Sequence, residues 1–337
     1  MAEGNPKLTV IVASYNTGKF LRATLDSILG QTYKNFECVV IDGGSSDGTL
    51  EILKDYAGIK WISEKDSGYL EAFRKGLALA RGEYVAQCAV SDGYLRKTWF
   101  AQCAEVLDTH ADVSLVWGLP RYMSEDGRLL AVSYPQFHRR QPPQKEAFFY
   151  YWLRTQFWLP EGNFVVRKRV MEECFPPRTA NAARDIETWL EFNLAFHTRG
   201  YLPYFLPVVA NYGRIHDNQL GAQELRSGVA DLKFKRYLRE CRKYRMDILC
   251  NRQTHMFRNG EGILLPIRFS HITFFLEQIF HPRAMAEILL TFTKRVFRAF
   301  IRYSRVAGVM PKFMDAYLER RRRRALERPY KQVFIDE

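Results

Sequence analysis

The chain has 337 residues, with 50 Lys+Arg against 37 Asp+Glu and 47% hydrophobic residues. That apolar share supplies a core for one large or two modest domains and excludes an intrinsically disordered chain. The net charge of +13 is uneven: residues 1–220 hold 25 basic and 25 acidic side chains, whereas residues 221–337 hold 25 and 12. This excludes a uniformly basic nucleic-acid binder and describes a neutral domain with a basic appendage.

The first hundred residues alternate strand and helix signals. LTVIVA (8–13) is a short apolar run of buried-strand type. It leads to Asn16 and Thr17, candidate N-caps for a helix with Leu21, Leu25, Ile28 and Leu29 at helical spacing. FECVVID (36–42) predicts a second strand, followed by the turn-rich GGSSDG and the helix TLEILKDY. IKWIS (59–63) predicts a third strand and 68–81 a third helix stopping at Gly82, before a fourth strand over 83–90. Strands that are apolar throughout and separated by helices imply a doubly wound, mostly parallel sheet covered on both faces. Ligands bind beyond the carboxyl ends of such strands. Here those ends carry Ser14, Tyr15 and Asn16, then Asp42, then Ser91, Asp92 and Gly93.

Further on, 121–134 predicts a hairpin turning at Asp126-Gly127. NFVVRK (163–168) reads as a strand, 186–200 as a helix closed by Gly200, and 201–216 as a proline-punctuated strand. Beyond Gly221 the pattern is helical to about residue 325, with the Arg320–Arg324 run near its end. The domain reading is therefore 1–220, divided into 1–118 and 119–220, followed by a basic helical region over 221–337.

The six cysteines show no CxxC pairing and several sit in apolar runs, which predicts buried free thiols in a reducing compartment. The start MAEGNPK lacks a basic-plus-apolar signal segment, and no apolar run reaches about 18 residues. A cytoplasmic protein is expected. Within 284–306, Leu289, Phe292, Val296 and Phe300 face away from Lys294, Arg295, Arg298 and Arg302, a pattern suited to resting on the inner face of an anionic membrane. The alternative is a soluble helical subdomain with a solvated basic face. No aromatic platform accompanies Arg320–Arg324, so no nucleic-acid partner is expected.

The strand-end loops carry carboxylates rather than a phosphate cradle. There is no GxGxxG after the first strand, and GGSSDGT lacks the Lys of a P-loop. Carboxylates there can accept hydrogen bonds from a base or ribose, or hold a divalent cation on a diphosphate. Asp42 and Asp47 can equally cap turns and helices.

LTVIVASYNTGKFLRATLDSILGQTYKNFECVVIDGGSSDGTLEIL resembles the opening of family-two, GT-A-fold nucleotide-sugar glycosyltransferases. SEKDSGYLEAFRKGLALARGEYV continues the resemblance to about residue 95, and a weaker match reaches about 220. The resemblance implies that Ser14, Tyr15, Asp42 and Asp66 line a nucleotide pocket. It implies a metal-binding role for Asp92, a general base at Asp185 with Glu187 in reserve, and Arg214 and His216 closing over the diphosphate. In place of the family's acidic cluster the chain reads Ala89-Val90-Ser91-Asp92-Gly93, so Asp92 alone remains, with His216 as its candidate companion on a Mn or Mg ion. Arg74 stands where the family usually has Asn, and is a further candidate contact for the diphosphate. The function implied is an inverting transfer from a nucleotide-diphosphate sugar, a UDP-sugar first, to a glycan or lipid-linked acceptor in cell-surface polysaccharide synthesis. The alternatives are a non-catalytic binding or assembly subunit and a nucleotidyl-sugar enzyme of another reaction type.

Overall fold

The structure, a computed structural model, describes residues 5–134, 137, 141–176, 188–216, 228–249 and 255–265. Its first half is a run of βα units: β1 (Leu8–Ser14), α1 (Gly18–Leu29), β2 (Phe36–Asp42), α2 (Thr49–Lys54), β3 (Lys60–Ser63), α3 (Tyr69–Leu79) and β4 (Tyr84–Gln87). β1 pairs in parallel with β2 and β4, and β2 with β3. β1, β2 and β4 are buried on both faces, which is why they are apolar without alternation, whereas the edge strand β3 alternates in exposure. Val10, Val12, Val40 and Ala86 pack toward α1, while Ile11 and Val85 pack toward Phe73 and Leu77 of α3. β4 is shorter than the 83–90 expected. Cys88 N–H still reaches Ile11 O at 3.1 Å; residues 89–92 leave the ladder, and that departure frees Asp92 to form a strand-end loop.

The second half is mixed. β5 (Gly93–Tyr94), α4 (Trp99–Thr109), β6 (Leu115–Met123), β7 (Leu129–Val132), α5 (Lys145–Thr155), β8 (Phe164–Arg167), α6 (Lys168–Cys174), α7 (Thr188–Thr198), β9 (Pro203–Arg214) and α8 (Val229–Leu249) follow. The sheet runs β3-β2-β1-β4-β8-β6-β9-β5, with β7 on β6. The expected hairpin is β6–β7, closed by Gly127 N–H on Ser124 O at 3.0 Å. β9 carries two prolines. Pro203 opens it, and Pro207 falls where the ladder slips from Trp117↔Phe205 to Leu119↔Val209, as a residue without an N–H requires.

The larger core layer is aromatic. Trp117 is fully buried, with Phe205 at 4.6 Å and Phe148 and Phe157 at 5.7 Å between ring centroids. α8 adds Tyr237, Cys241 and Tyr244 to the same core, and Tyr237 accepts a hydrogen bond from Trp152 Nε1 at 3.0 Å. The helical pattern expected past Gly221 holds for α8 but not for 255–265. There Asn259 N–H meets Ile263 O, the Asn259 side chain accepts from Glu261 and Ile263 amides, and Arg258 makes isolated bridges to Tyr201 and Leu264. The Gly-Glu-Gly sequence at 260–262 permits that turn and disfavours helix. Residues 284–306 lie outside the described residues. The five cysteines within them are free and buried.

Two histidines are buried in this layer. His197 stacks on Trp152 at 4.8 Å, and neither ring nitrogen has a hydrogen-bond partner. His255 stacks on Phe149 at 3.7 Å. Burial pushes both down to about 3, His255 adding to the effect on His197. A histidine depressed in the folded state binds fewer protons than in the unfolded chain, so its stabilisation is present above about pH 6.5 and lost as pH falls toward 3. Between pH 7 and pH 5 each should remove about 2 kcal/mol from the unfolding free energy. Urea unfolding of wild type and His197→Phe at the two pH values checks this, and the variant should lose a smaller amount.

Candidate active site

The carboxyl ends of β1 and β2 stand side by side, Ser14 opposite Asp42, and their exit loops are laced together. Asn16, in the left-handed region at φ +51°, donates its N–H to Ser45 Oγ at 2.7 Å and accepts Ser46 N–H at 2.9 Å on its side chain. Neither candidate cap holds the start of α1. Asp47 does so from the neighbouring loop: Oδ2 accepts Gly18 N–H at 3.0 Å, and Oδ1 accepts the Thr49 amide at 3.1 Å and the Thr49 hydroxyl at 2.5 Å. One carboxylate thus caps α1 and α2. Burial works to raise its pKa, but the Thr49 hydroxyl and the Gly18 and Thr49 amides outweigh it and lower the value.

Asp42 is fully buried. Oδ2 accepts Ser45 N–H at 2.8 Å, Ser63 Oγ at 2.8 Å and Gly44 N–H at 3.1 Å, and Oδ1 accepts Ser45 Oγ at 2.5 Å. Ser14 is also buried, its hydroxyl 2.7 Å from that of Thr17. These two residues shape the pocket wall. Beside them the buried Gly43 floors a narrow slot between Asp66 and Tyr15. A Cβ added there would stand 3.2 Å from both oxygens of Asp66 and 3.3 Å from Tyr15 Cδ2. Tyr15 is 64% exposed, and Asp66 is held by the Gly68 amide at 2.8 Å. Arg74 points elsewhere: its guanidinium donates to Pro176 O and lies 5.9 Å from the Phe175 ring, at the edge of 177–187. Asp185 and Glu187 fall in that segment, outside the described residues. α7 begins at Thr188, three residues after Asp185.

A second cluster forms where β4, β5 and β9 meet. Asp92 Oδ1 accepts Arg214 N–H at 3.0 Å. The Arg214 guanidinium donates through Nε to Ser91 O at 3.2 Å and through Nη1 to Glu125 O at 3.0 Å and Ser124 O at 3.3 Å. It lies 5.1 Å from the centroid of Phe20, whose ring also meets His216 at 4.9 Å. Ser91 sits at φ +94°, a costly conformation for a residue with a side chain. Thr24 clamps it, accepting Ser91 N–H at 3.2 Å and donating to Asp92 O at 2.7 Å. Phe20, Thr24 and Ser27 are spaced four and three apart on one face of α1, and Ser27 Oγ accepts Tyr94 N–H at 3.1 Å. Sequence reasoning missed these three; their i, i+4, i+7 spacing was the available signal.

Burial pushes the Asp92 carboxyl up to about 7, partly offset by the Arg214 amide and Ser91. Its Oδ2 makes none of these hydrogen bonds, and an under-compensated carboxylate oxygen is the donor that a hard cation takes. Among the described residues no three His, Cys, Asp or Glu side chains are grouped to hold a metal ion. A cation at Asp92 would therefore draw most of its donors from a ligand.

A sequence family described as Glycosyl transferase family 2 matches residues 9–175. The chain carries a family 2 glycosyltransferase domain. It is 35% identical over 114 residues to glycosyltransferase GlyA of Streptococcus pneumoniae, an overlap of 32% of this chain and 16% of that one. It is 33% identical over 118 residues to the PGL/p-HBAD biosynthesis glycosyltransferase of Mycobacterium tuberculosis, covering 34% and 46%. The chain thus spans less than half the length of these relatives. Among solved structures, mannosyltransferase PcManGT of Pyrobaculum calidifontis, in complex with GDP-Man and Mn2+, superposes over 91% of this chain and 85% of that one at 16% identity and TM-score 0.51. That likeness establishes the GT-A fold.

Removing the shared cap should destabilise both helices together. Asp47→Ala is expected to lose about 1–2 kcal/mol in urea unfolding at pH 7. Because the carboxyl is depressed in the folded protein, the difference from wild type should shrink as pH falls toward 3. An equal difference at both ends of that range would contradict the capping role.

Proposed function

We propose that this protein is an inverting glycosyltransferase that moves a sugar from a nucleotide-diphosphate sugar, of the UDP class first, to a glycan or lipid-linked acceptor in cell-surface polysaccharide synthesis. One observation carries the reading. The slot between Tyr15, Gly43 and Asp66 and the Asp92–Arg214–His216 cluster lie at the same end of one sheet, as a base and a diphosphate joined by a ribose require. An aromatic ring and a carboxylate suit a base, the carboxylate accepting its N–H groups. The Arg214 guanidinium, whose Nη2 is unused by the carbonyls, would meet the diphosphate oxygens. Asp92 and His216 would hold a Mn or Mg ion, which supplies charge neutralisation to the diphosphate when bound.

The reaction makes modest demands on the chain. An acceptor hydroxyl oxygen attacks the anomeric carbon, forming the glycosidic C–O bond. The bond from that carbon to the diphosphate oxygen breaks on the opposite face, and the nucleoside diphosphate leaves with the electron pair. The hydroxyl proton passes to the carboxylate of Asp185. A positioned base contributes about 10²–10⁴-fold, and Arg214 stabilises the charge that accumulates on the leaving group. Arg214 is oriented by three backbone carbonyls, so it is in place before substrate binds.

The acceptor side of the proposal includes an anionic membrane surface. α8 turns Tyr237, Cys241 and Tyr244 inward and leaves Leu232, Lys235, Arg239, Arg242 and Lys243 exposed. No helix among the described residues is long and apolar enough to cross a membrane. Each cation near an anionic surface contributes about 1 kcal/mol. The protein should pellet with phosphatidylglycerol vesicles at low salt, less so at high salt, and weakly after Arg239, Arg242 and Lys243 are changed to Glu. Absence of lipid-dependent pelleting at low salt would contradict the membrane reading.

Catalysis is tested by nucleoside diphosphate release. Asp185→Asn keeps the shape and loses the base, so turnover should fall at least about 100-fold with the Kd for the donor retained. Normal turnover in that variant together with its loss in Glu187→Gln would move the base to Glu187. Nucleotide binding without turnover in the wild type would assign a non-catalytic binding subunit.

A further inference from the structure

Three buried carboxamides gather five residues before Asp92 without satisfying one another. Gln87 ends β4 at 1% exposure, Asn163 precedes β8 at 0% and Asn211 lies on β9 at 4%. Asn211 Nδ2 donates to Gly162 O at 3.2 Å, and Asn163 Nδ2 donates to Gly118 O. Neither Oε1 nor Nε2 of Gln87 has a partner, and the Oδ1 atoms of Asn163 and Asn211 also lack one. The backbone is brought in against them. Gly162 sits at φ +67°, and a Cβ there would stand 3.3 Å from Gln87 Oε1 and 3.9 Å from Asn211 Nδ2. Buried amides left unpaired cost stability, and folded proteins pair nearly all of theirs. Four unpartnered polar atoms in one place therefore call for a ligand.

The topology says which ligand. Gln87 shares a face with Val85, which packs with Ile11, Phe73 and Trp189, so Gln87 lies on the side of the sheet that holds α3 and α7. Asn211 is three strand residues before Arg214, about 10 Å. Gln87 and Asn211 thus lie near the strand ends that carry the groups assigned to the diphosphate, on the face of the sheet that packs against the helix following Asp185. A carboxamide is neutral and presents both a donor and an acceptor, which complements a hydroxyl group, itself both donor and acceptor. We propose that Gln87, Asn163 and Asn211 form a subsite for a hydroxyl of the transferred sugar, an inference that rests on the glycosyltransferase reading. Its burial makes it selective, because an analogue lacking the hydroxyl leaves the amides unpaired.

Calorimetric titration of UDP, UDP-glucose, GDP and GDP-mannose into wild type and Gln87→Met tests the subsite. The expected result is an unchanged Kd for the nucleoside diphosphate and a ratio of nucleotide-sugar Kd to nucleoside-diphosphate Kd that rises about tenfold. The change removes two unpartnered buried atoms, so Tm should hold or rise; a fall in Tm with that ratio unchanged would mark a purely structural amide and overturn the subsite. Gln87→Leu repeats the measurement with a branched side chain. An unchanged ratio in both variants would also overturn it, leaving a hydration site only. Failure of the wild type to bind any nucleoside diphosphate would instead overturn the glycosyltransferase reading, and the subsite with it.

Discussion

The hydrogen bond from the Arg214 amide to Asp92 joins the exit of β4, in the parallel half of the sheet, to the end of β9, in the mixed half. Much of the site hangs on that joint. It brings the Arg214 guanidinium within reach of Ser91 O on one side and the β6–β7 turn on the other. It also sets His216, two residues on, beside the Phe20 ring. The strained Ser91 is tolerated because Thr24 fixes both sides of its peptide bond to Asp92. α1 therefore acts as the rigid support of the loop, and its hydrophobic face toward the core keeps that support in place.

The two ends of the parallel half use charge differently. At the amino end, Glu37 is buried but accepts the Thr9 hydroxyl, the Arg81 amide and guanidinium, and Lys60, so its charge is spent inside the fold. At the carboxyl end, Asp42 and Asp47 are similarly enclosed, and they hold the loops in shape. Asp66, Asp92 and Arg214 are only partly committed to internal partners. Such groups, retained where pairing would have been easy, are what a ligand site requires.

Much of this was legible in the sequence because the βα units announce themselves. Fully apolar strands, helical spacing and glycine-rich turns are enough to place Asp42, Asp66 and Asp92 at or just beyond strand ends. The roles within the loops were less legible. The four donors that enclose Asp42 come from backbone amides and two serines, and no spacing rule reports them. Nor does sequence show that Asp47 caps α1 across a loop, since the partner, Gly18, lies 29 residues away. The pairing of β9 with β5 and β6 is equally non-local, so the approach of Arg214 to Asp92 across 122 residues was expected only through family resemblance. Asp185 and Glu187 lie outside the described residues, and their assignment rests on sequence alone.

The central claim is that the slot above Gly43 takes a nucleotide base between Tyr15 and Asp66. Gly43 is not in the left-handed region, so alanine can adopt its backbone conformation, and the added methyl would press on Asp66 and Tyr15, narrowing the slot. Calorimetric titration of UDP and GDP into wild type and Gly43→Ala is the most direct measurement. The account predicts binding to the wild type that weakens about tenfold or more in the variant, which stays folded at the titration temperature. Equal affinity in two equally stable proteins would contradict it.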